Sequence, residues 1–152
     1  MVIDPSGAAF SLWEAGERQG AQLVNEPGTW TMSSLHTTDV HAASEFYGAV
    51  FGWEPEAFGP VTLFRRPGYV GGIEGQPVPR DVVAAVAPPN PEIPPHWNVN
   101  LRVADADATA EQAAALGGTV VAAPMDTPGF RSAVLADPQG AVFSVSSLAP
   151  AP

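Results

Sequence analysis

The chain repeats itself. Residues 4–12 read Asp-Pro-Ser-Gly-Ala-Ala-Phe-Ser-Leu and residues 137–145 read Asp-Pro-Gln-Gly-Ala-Val-Phe-Ser-Val, identical at six of nine positions. Self-similarity of this kind ties a fold to repeated supersecondary units. Asp-Pro-x-Gly reads as a turn, because Pro presets φ and Gly is free to take positive φ. The residues after it alternate small and large, as a half-buried strand does. The chain is therefore expected to open with a turn and strand of the kind that also closes it.

A second repeat lies inside the first. Leu35-His36-Thr37-Thr38-Asp39 aligns with Leu101-Arg102-Val103-Ala104-Asp105 at an offset of 66, and Val50-Phe51-Gly52 then falls on Leu116-Gly117-Gly118. Each copy reads as a strand running into an Asp, a helix, and a Gly. Asp caps a helix by accepting from first-turn N–H groups, and its charge suits the positive end. In the first copy Ala43, Phe46, Tyr47, Val50 and Phe51 recur at helical spacing, and Gly52 supplies the stop. The second helix is Ala-rich, from Asp105 to Leu116. Strands are expected at Thr62–Arg65 and Tyr69–Ile73 in copy one, and at Thr119–Ala122, Ser132–Ala136 and Ala141–Ser147 in copy two. Between the copies, Gly75–Pro95 holds seven of the 17 prolines and reads as an extended linker with one short strand at Val82–Val86. Residues 16–28, with Gly16, Gly20, Pro27 and Gly28, read as a connector.

Composition narrows the function. Sixteen acids against six bases give a net charge of −10, which argues against a nucleic-acid partner, since phosphate binding requires a basic surface. All six bases are Arg, so Lys-dependent covalent chemistry is excluded. With no Cys there is no thiol nucleophile, thiolate metal site or disulfide. No apolar run approaches the ~18 residues of a membrane span, and no signal peptide is evident, so a cytoplasmic location without membrane contact is expected.

Two strand–helix–three-strand modules that carry Phe46-Tyr47, Phe51-Gly52-Trp53, Trp97–Asp105, Gly117-Gly118 and Asp137–Phe143 resemble the vicinal oxygen chelate superfamily. That superfamily holds glyoxalase I, the bleomycin resistance proteins and the extradiol dioxygenases. The resemblance covers residues 29–148 and is closest to tandem actinobacterial glyoxalase-like proteins. It implies an α+β fold of two βαβββ modules, a cupped mixed sheet with helices outside, and an extra N-terminal strand in front. The modules fall at about 29–75 and 95–148, and residues 1–28 hold an orphan closing strand with its connector. The strand near Ala8–Trp13 is expected to lie along a sheet edge, either in its own domain or across a homodimer by strand exchange, with the homodimer favoured.

Strand alternation picks the residues that face the cup. Val99, Leu101 and Val103 form an apolar face for the helix, which leaves Asn98, Asn100 and Arg102 for the cup. Met32, Ser34 and His36 are their counterparts in copy one. Catalytic members of the superfamily carry metal ligands where this chain has Met32, Asn98 and Ser144, none of which offsets the dehydration of a divalent ion. No metal or other cofactor is therefore expected. Arg102 suits bidentate contact with a carboxylate or phosphate, or else an ion pair with a cup acid or a place on an exposed rim. His36 is a candidate acid/base or binding group, with a metal ligand and a structural residue as the alternatives. Glu74 approaches the cup if the fourth strand of copy one is Tyr69–Ile73. His41 reads as a solvated helix residue and His96 as a loop residue. Trp30, Trp97, Phe64, Tyr69 and Phe130 read as core or wall. The resulting expectation is a metal-free small-molecule binding protein of the bleomycin-resistance type, its cup holding a polar or anionic organic ligand through Met32, Ser34, His36, Asn98, Asn100, Arg102 and Ser144. The alternatives are a metal-dependent lyase or dioxygenase of the same superfamily, and a purely structural interaction module.

Overall fold

The internal repeat is a structural repeat. A computed structural model describes residues 1–18, 20–71, 74 and 78–149. In the first copy, strand β3 (Trp30–His36) leads to helix α1 (Val40–Phe51), then to β4 (Glu54–Phe58), β5 (Val61–Arg65) and β6 (Val82–Val86). In the second, β7 (His96–Arg102) leads to α2 (Ala106–Ala115), β8 (Thr119–Thr127), β9 (Phe130–Ala136) and β10 (Val142–Leu148). The bounds of β3 and β7 differ by the same 66 residues as the sequence repeat. The fold is α+β, with βαβββ modules and mixed sheets.

Contacts divide the chain into two units, Met1–Gln22 with Met32–Gly71 and Pro79–Asn98, and Leu23–Thr31 with Gly72–Val78 and Val99–Pro152. In the first, the strand order is β4-β5-β6-β3, with β6 parallel to β3. In the second it is β8-β9-β10-β7, with β10 parallel to β7. Each module thus returns its last strand beside its first, a parallel pairing that needs a crossover, and the route through the helix and two further strands supplies it.

Capping follows the sequence. Asp39 accepts from the Ala42 N–H at 2.9 Å, and Asp105 from the Ala108 N–H at 3.0 Å. Gly52 ends α1 at φ 67°, a left-handed conformation that an L side chain enters at a cost of about 1 kcal/mol. Each helix covers one face of its sheet. Leu35, Ala43, Tyr47, Phe64, Ala84 and Val86 make the first core, and Ala110, Ala133, Leu135 and Val145 the second. Arg131 of β9 ties Asp107 of α2 to Asp126 of β8.

Several expectations need correction. The strand expected at Val82–Val86 is present with those bounds, but it is part of the sheet and not of a linker: it lies between β5 and β3, with Ala84 and Val86 fully buried. It is the fourth strand of its module, so the expected strand at Tyr69–Ile73 is displaced. Tyr69 and Val70 are exposed and outside any strand, while Gly72, Ile73 and the linker residues Gly75–Pro77 lie outside the described residues. Glu74 is an exposed turn residue, remote from the role given to it. Val50 and Val99, expected in helix-packed faces, are 49% and 43% exposed. Trp30 is also exposed, whereas Phe64 is fully buried core.

The N-terminal segment also departs from expectation. Strand β2 covers only Ala9–Phe10 and pairs with β1 (Val2–Ile3) in a small antiparallel hairpin, not with a sheet edge. It packs on the first unit. Ala8 is fully buried, and the Phe10 ring meets Phe46, Tyr47 and Phe51 of α1. The two Asp-Pro-x-Gly turns share their backbone hydrogen bonds. Asp4 Oδ1 accepts from the N–H groups of Ser6 and Ala8, as Asp137 Oδ1 does from Gln139 and Ala141, each at 2.9 Å. Gly7 and Gly140 take φ of 100° and 91°, which glycine adopts freely.

Candidate functional site

In the second unit, one sheet face packs on α2 and the other is polar. The registers Ser144–Asn100 and Ser146–Arg102 place four polar side chains of β7 and β10 on that second face, and Ser146–Ser132 adds β9. The Ser146 hydroxyl donates to Asn100 Oδ1 at 3.0 Å, which fixes the amide. Val145, between the two serines, is buried against α2 with Val103. The alternation read from the sequence therefore matches the polar face of this unit, while on the other face Val99 is exposed instead of packed on the helix. Ser146 and Ser132 are additions to the expected set. The alternation Phe143-Ser144-Val145-Ser146 already carried the first of them.

Arg102 is the charged member of this face. Its backbone is anchored on both sides, since the Thr29 carbonyl accepts from its N–H at 2.7 Å and its own carbonyl accepts from the Gly28 N–H at 2.8 Å. Its side chain is buried, with 9% of the residue exposed, and its guanidinium carbon sits 5.9 Å from the centre of the Phe130 ring. Among the described residues no carboxylate pairs with it, in contrast to Arg65, held by Glu56 and Asp81, and Arg131, held by Asp107 and Asp126. The ion-pair alternative for Arg102 thus finds no acid there. Burial lowers its pKa from the ordinary arginine value. The group remains a cation at neutral pH, because that ordinary value is so high.

In the first unit, Met32, Ser34 and His36 are half-buried on β3, on the strand face opposite Leu35. Asn98, on β7, is buried. The His36 ring is stacked on the His96 ring, 4.5 Å between centres and 6° between planes. His96 is therefore not a loop residue: it begins β7, and the copy offset from Trp30 was the available signal. A carbonyl only accepts, so the 2.8 Å contact from His96 Nδ1 to the Pro94 oxygen assigns the proton to Nδ1. Burial, and then the neighbouring His96, lower the pKa of His36. His36 is accordingly neutral at physiological pH, and a neutral imidazole can accept a proton. His41 is exposed beside Glu45, as the sequence implied.

The positions that the family resemblance gives to metal ligands hold Met32, Asn98 and Ser144. None supplies a carboxylate or imidazole, the donors that a divalent ion needs to offset dehydration. Among the described residues, no three His, Asp or Glu side chains group to hold a metal ion. These residues do not fit the superfamily's metal. No helix of the described residues is long and apolar enough to cross a membrane.

Comparison with known proteins places these features in a family context. A family model described as "Glyoxalase-like domain" matches residues 31–146. A Mycobacterium tuberculosis protein named "Putative glyoxylase CFP32" is 44% identical over 152 residues, 99% of this chain and 55% of its own length. The anthracycline biosynthesis protein DauV of Streptomyces sp. strain C5 is 40% identical over 162 residues, covering 97% of this chain and 52% of its own. The chain thus spans about half the length of the curated relatives it matches. Among solved structures, methylmalonyl-CoA epimerase of Streptomyces coelicolor superposes with a TM-score of 0.56 at 18% identity, over 84% of this chain and all of that one. At that identity the likeness concerns the fold alone.

Proposed function

Because the chain belongs to the glyoxalase-like domain family, we propose that it is a small-molecule binding protein that takes a polar or anionic organic ligand without a metal ion. Arg102 carries the reading. Burying a guanidinium away from water costs several kcal/mol unless an anion meets it, and no protein carboxylate among the described residues does. A ligand carboxylate or phenolate offsets that cost through a bidentate contact. Asn100, Ser144 and Ser146 would then serve the ligand's other polar groups, and Phe130 would give an apolar wall. On the first unit, Met32, Ser34, His36 and Asn98 are proposed as binding residues of their own polar strand face. That DauV is an anthracycline biosynthesis protein supports an aromatic ligand, since anthracyclines are fused aromatic ring systems. The metal-dependent lyase or dioxygenase is the weaker reading, because Met32, Asn98 and Ser144 are poor ligands for a divalent ion.

The same proposal includes a homodimer. Strand exchange is not its support, because Ala8 and Phe10 find cover on α1 of their own chain. Its support is that β4 and β8 each end a strand order with one side unpaired among the described residues. Light scattering at twice the 15.7 kDa chain mass would bear this out, and the chain mass alone would remove the dimer without touching the ligand site.

Calorimetric titration with salicylate and with neutral salicylamide tests the ligand reading. Wild type is expected to prefer salicylate, and Arg102→Met, which keeps the volume, to lose roughly 2–5 kcal/mol of salicylate binding. Equal affinity of wild type for the two compounds, or unchanged salicylate binding by Arg102→Met, would contradict it.

A further inference from the structure

The first unit holds a cavity of about 430 Å³ on the helix-covered side of its sheet, on the strand face opposite that of Met32, Ser34 and His36. Its aromatic walls come from four places. Phe10 and Trp13 belong to the N-terminal segment, Tyr47 and Phe51 to α1, and Trp53 and Trp97 to the sequence just after α1 and to β7. The volume lies within the ~300–1,000 Å³ usual for small-molecule sites.

The lining chemistry selects the ligand. No charged side chain lines the cavity, so an ion entering it would lose its hydration with nothing in return. The hydroxyl of Tyr47 is already committed: it donates to Asp4 Oδ2 at 2.8 Å and accepts from Trp97 Nε1 at 2.9 Å. Tyr47 is fully buried behind the wall, Trp97 contributes ring surface to it, and Ser11 and Ser33 are the remaining hydroxyl-bearing lining. Aromatic walls of this kind favour a flat ring system through offset or edge contacts.

One wall is incomplete. Residues 11–15 follow β2 outside any strand or helix, and Leu12 and Trp13 are each 63% exposed although both line the cavity. A large apolar side chain at the rim of an apolar cavity gains burial when something fills the space beneath it.

We propose that this cavity binds an uncharged planar aromatic molecule, with Trp13 and Leu12 closing over it, as a second site separate from the Arg102 face. The inference does not rest on the anion site and can hold if that site fails.

The neutral fluorophore N-phenyl-1-naphthylamine is the probe. Saturable enhancement of its emission with energy transfer from tryptophan is expected in wild type. Trp13→Ala should weaken it roughly fivefold or more, through lost ring contact and burial. Leu12→Ala gives a second reading on the same wall without removing a tryptophan donor, and thermal melts verify that both variants fold. Excess salicylate should not displace the probe, and Arg102→Met should bind it as wild type does. No saturable binding, binding unchanged in both wall variants, or displacement by salicylate together with loss in Arg102→Met would each overturn the assignment.

Discussion

Tyr47 shows how one side chain can join distant parts of the sequence. Its hydroxyl links Asp4, 43 residues earlier, to Trp97, 50 residues later. Tyr47→Phe leaves a buried carboxylate oxygen and an indole N–H each short of a partner. It is expected to cost about 1–3 kcal/mol, read as a lower denaturation midpoint. The hydroxyl also links stability to pH. Burial, and then the Asp4 bond, raise the Tyr47 pKa above the ordinary tyrosine value of 10. The unfolded chain therefore ionises first, and this contribution is complete below about pH 10 and lost as pH rises through the folded pKa. A pH series should show Tyr47→Phe losing less stability between neutrality and pH 11 than wild type does. His36 runs the other way. Its folded pKa lies below the ordinary 6.5, so the stabilisation is present above pH 6.5 and lost as pH falls through the folded value. Wild type should lose midpoint between pH 7 and pH 5 more steeply than His36→Gln; parallel slopes would mean that the His36–His96 stack is not strained by charge. Tyr47 could be read from the sequence as core, because helical spacing marks it. Its partners could not, because nothing local in the sequence links positions 43 and 50 residues away.

The two Asp-Pro-x-Gly turns set up an internal comparison between elements. Both aspartates hold their own turn through the same pair of N–H bonds, but Asp4 alone of the two also binds a tyrosine. Asp4 is buried, and the hairpin it heads covers Phe46, Tyr47 and Phe51. Asp4→Ala should therefore cost about 2–3 kcal/mol and Asp137→Ala about 1, since the first also orphans a buried hydroxyl and undocks a segment. Combined with Tyr47→Phe, Asp4→Ala should be clearly less than additive, because the two changes break one bond. Additivity would mean that the hairpin docks by apolar contact alone. Repeats, caps and helix stops were legible in the sequence because each is a local device with a fixed spacing. Strands β4 and β6 were not recognised for what they are. Pro55 and two glutamates disguise β4, and the prolines flanking Val82–Val86 made a central strand look like part of a linker. Only its pairing between β5 and β3 reveals it, and pairing over such distances leaves no local mark.

For the molecule as a whole, the net charge of −10 makes a buried arginine with no acid paired to it among the described residues stand out. Among the described residues the half-buried Arg65 and Arg131 each pair with two acids, whereas Arg102 shares its face with Asn100, Ser144 and Ser146 and sits beside Phe130. The polar character of that face was legible from the alternation along β7. That no acid among the described residues pairs with Arg102 was not, because it depends on where β9 and β10 place their side chains. The central claim is anion binding through Arg102 without a metal ion. Its most direct test is a calorimetric titration of salicylate into protein stripped with EDTA, run beside protein supplied in turn with Zn²⁺, Ni²⁺ and Mn²⁺. The account predicts the same dissociation constant in every sample, and its loss in Arg102→Met. Binding that vanishes on chelation, returns with one metal and survives Arg102→Met would contradict it.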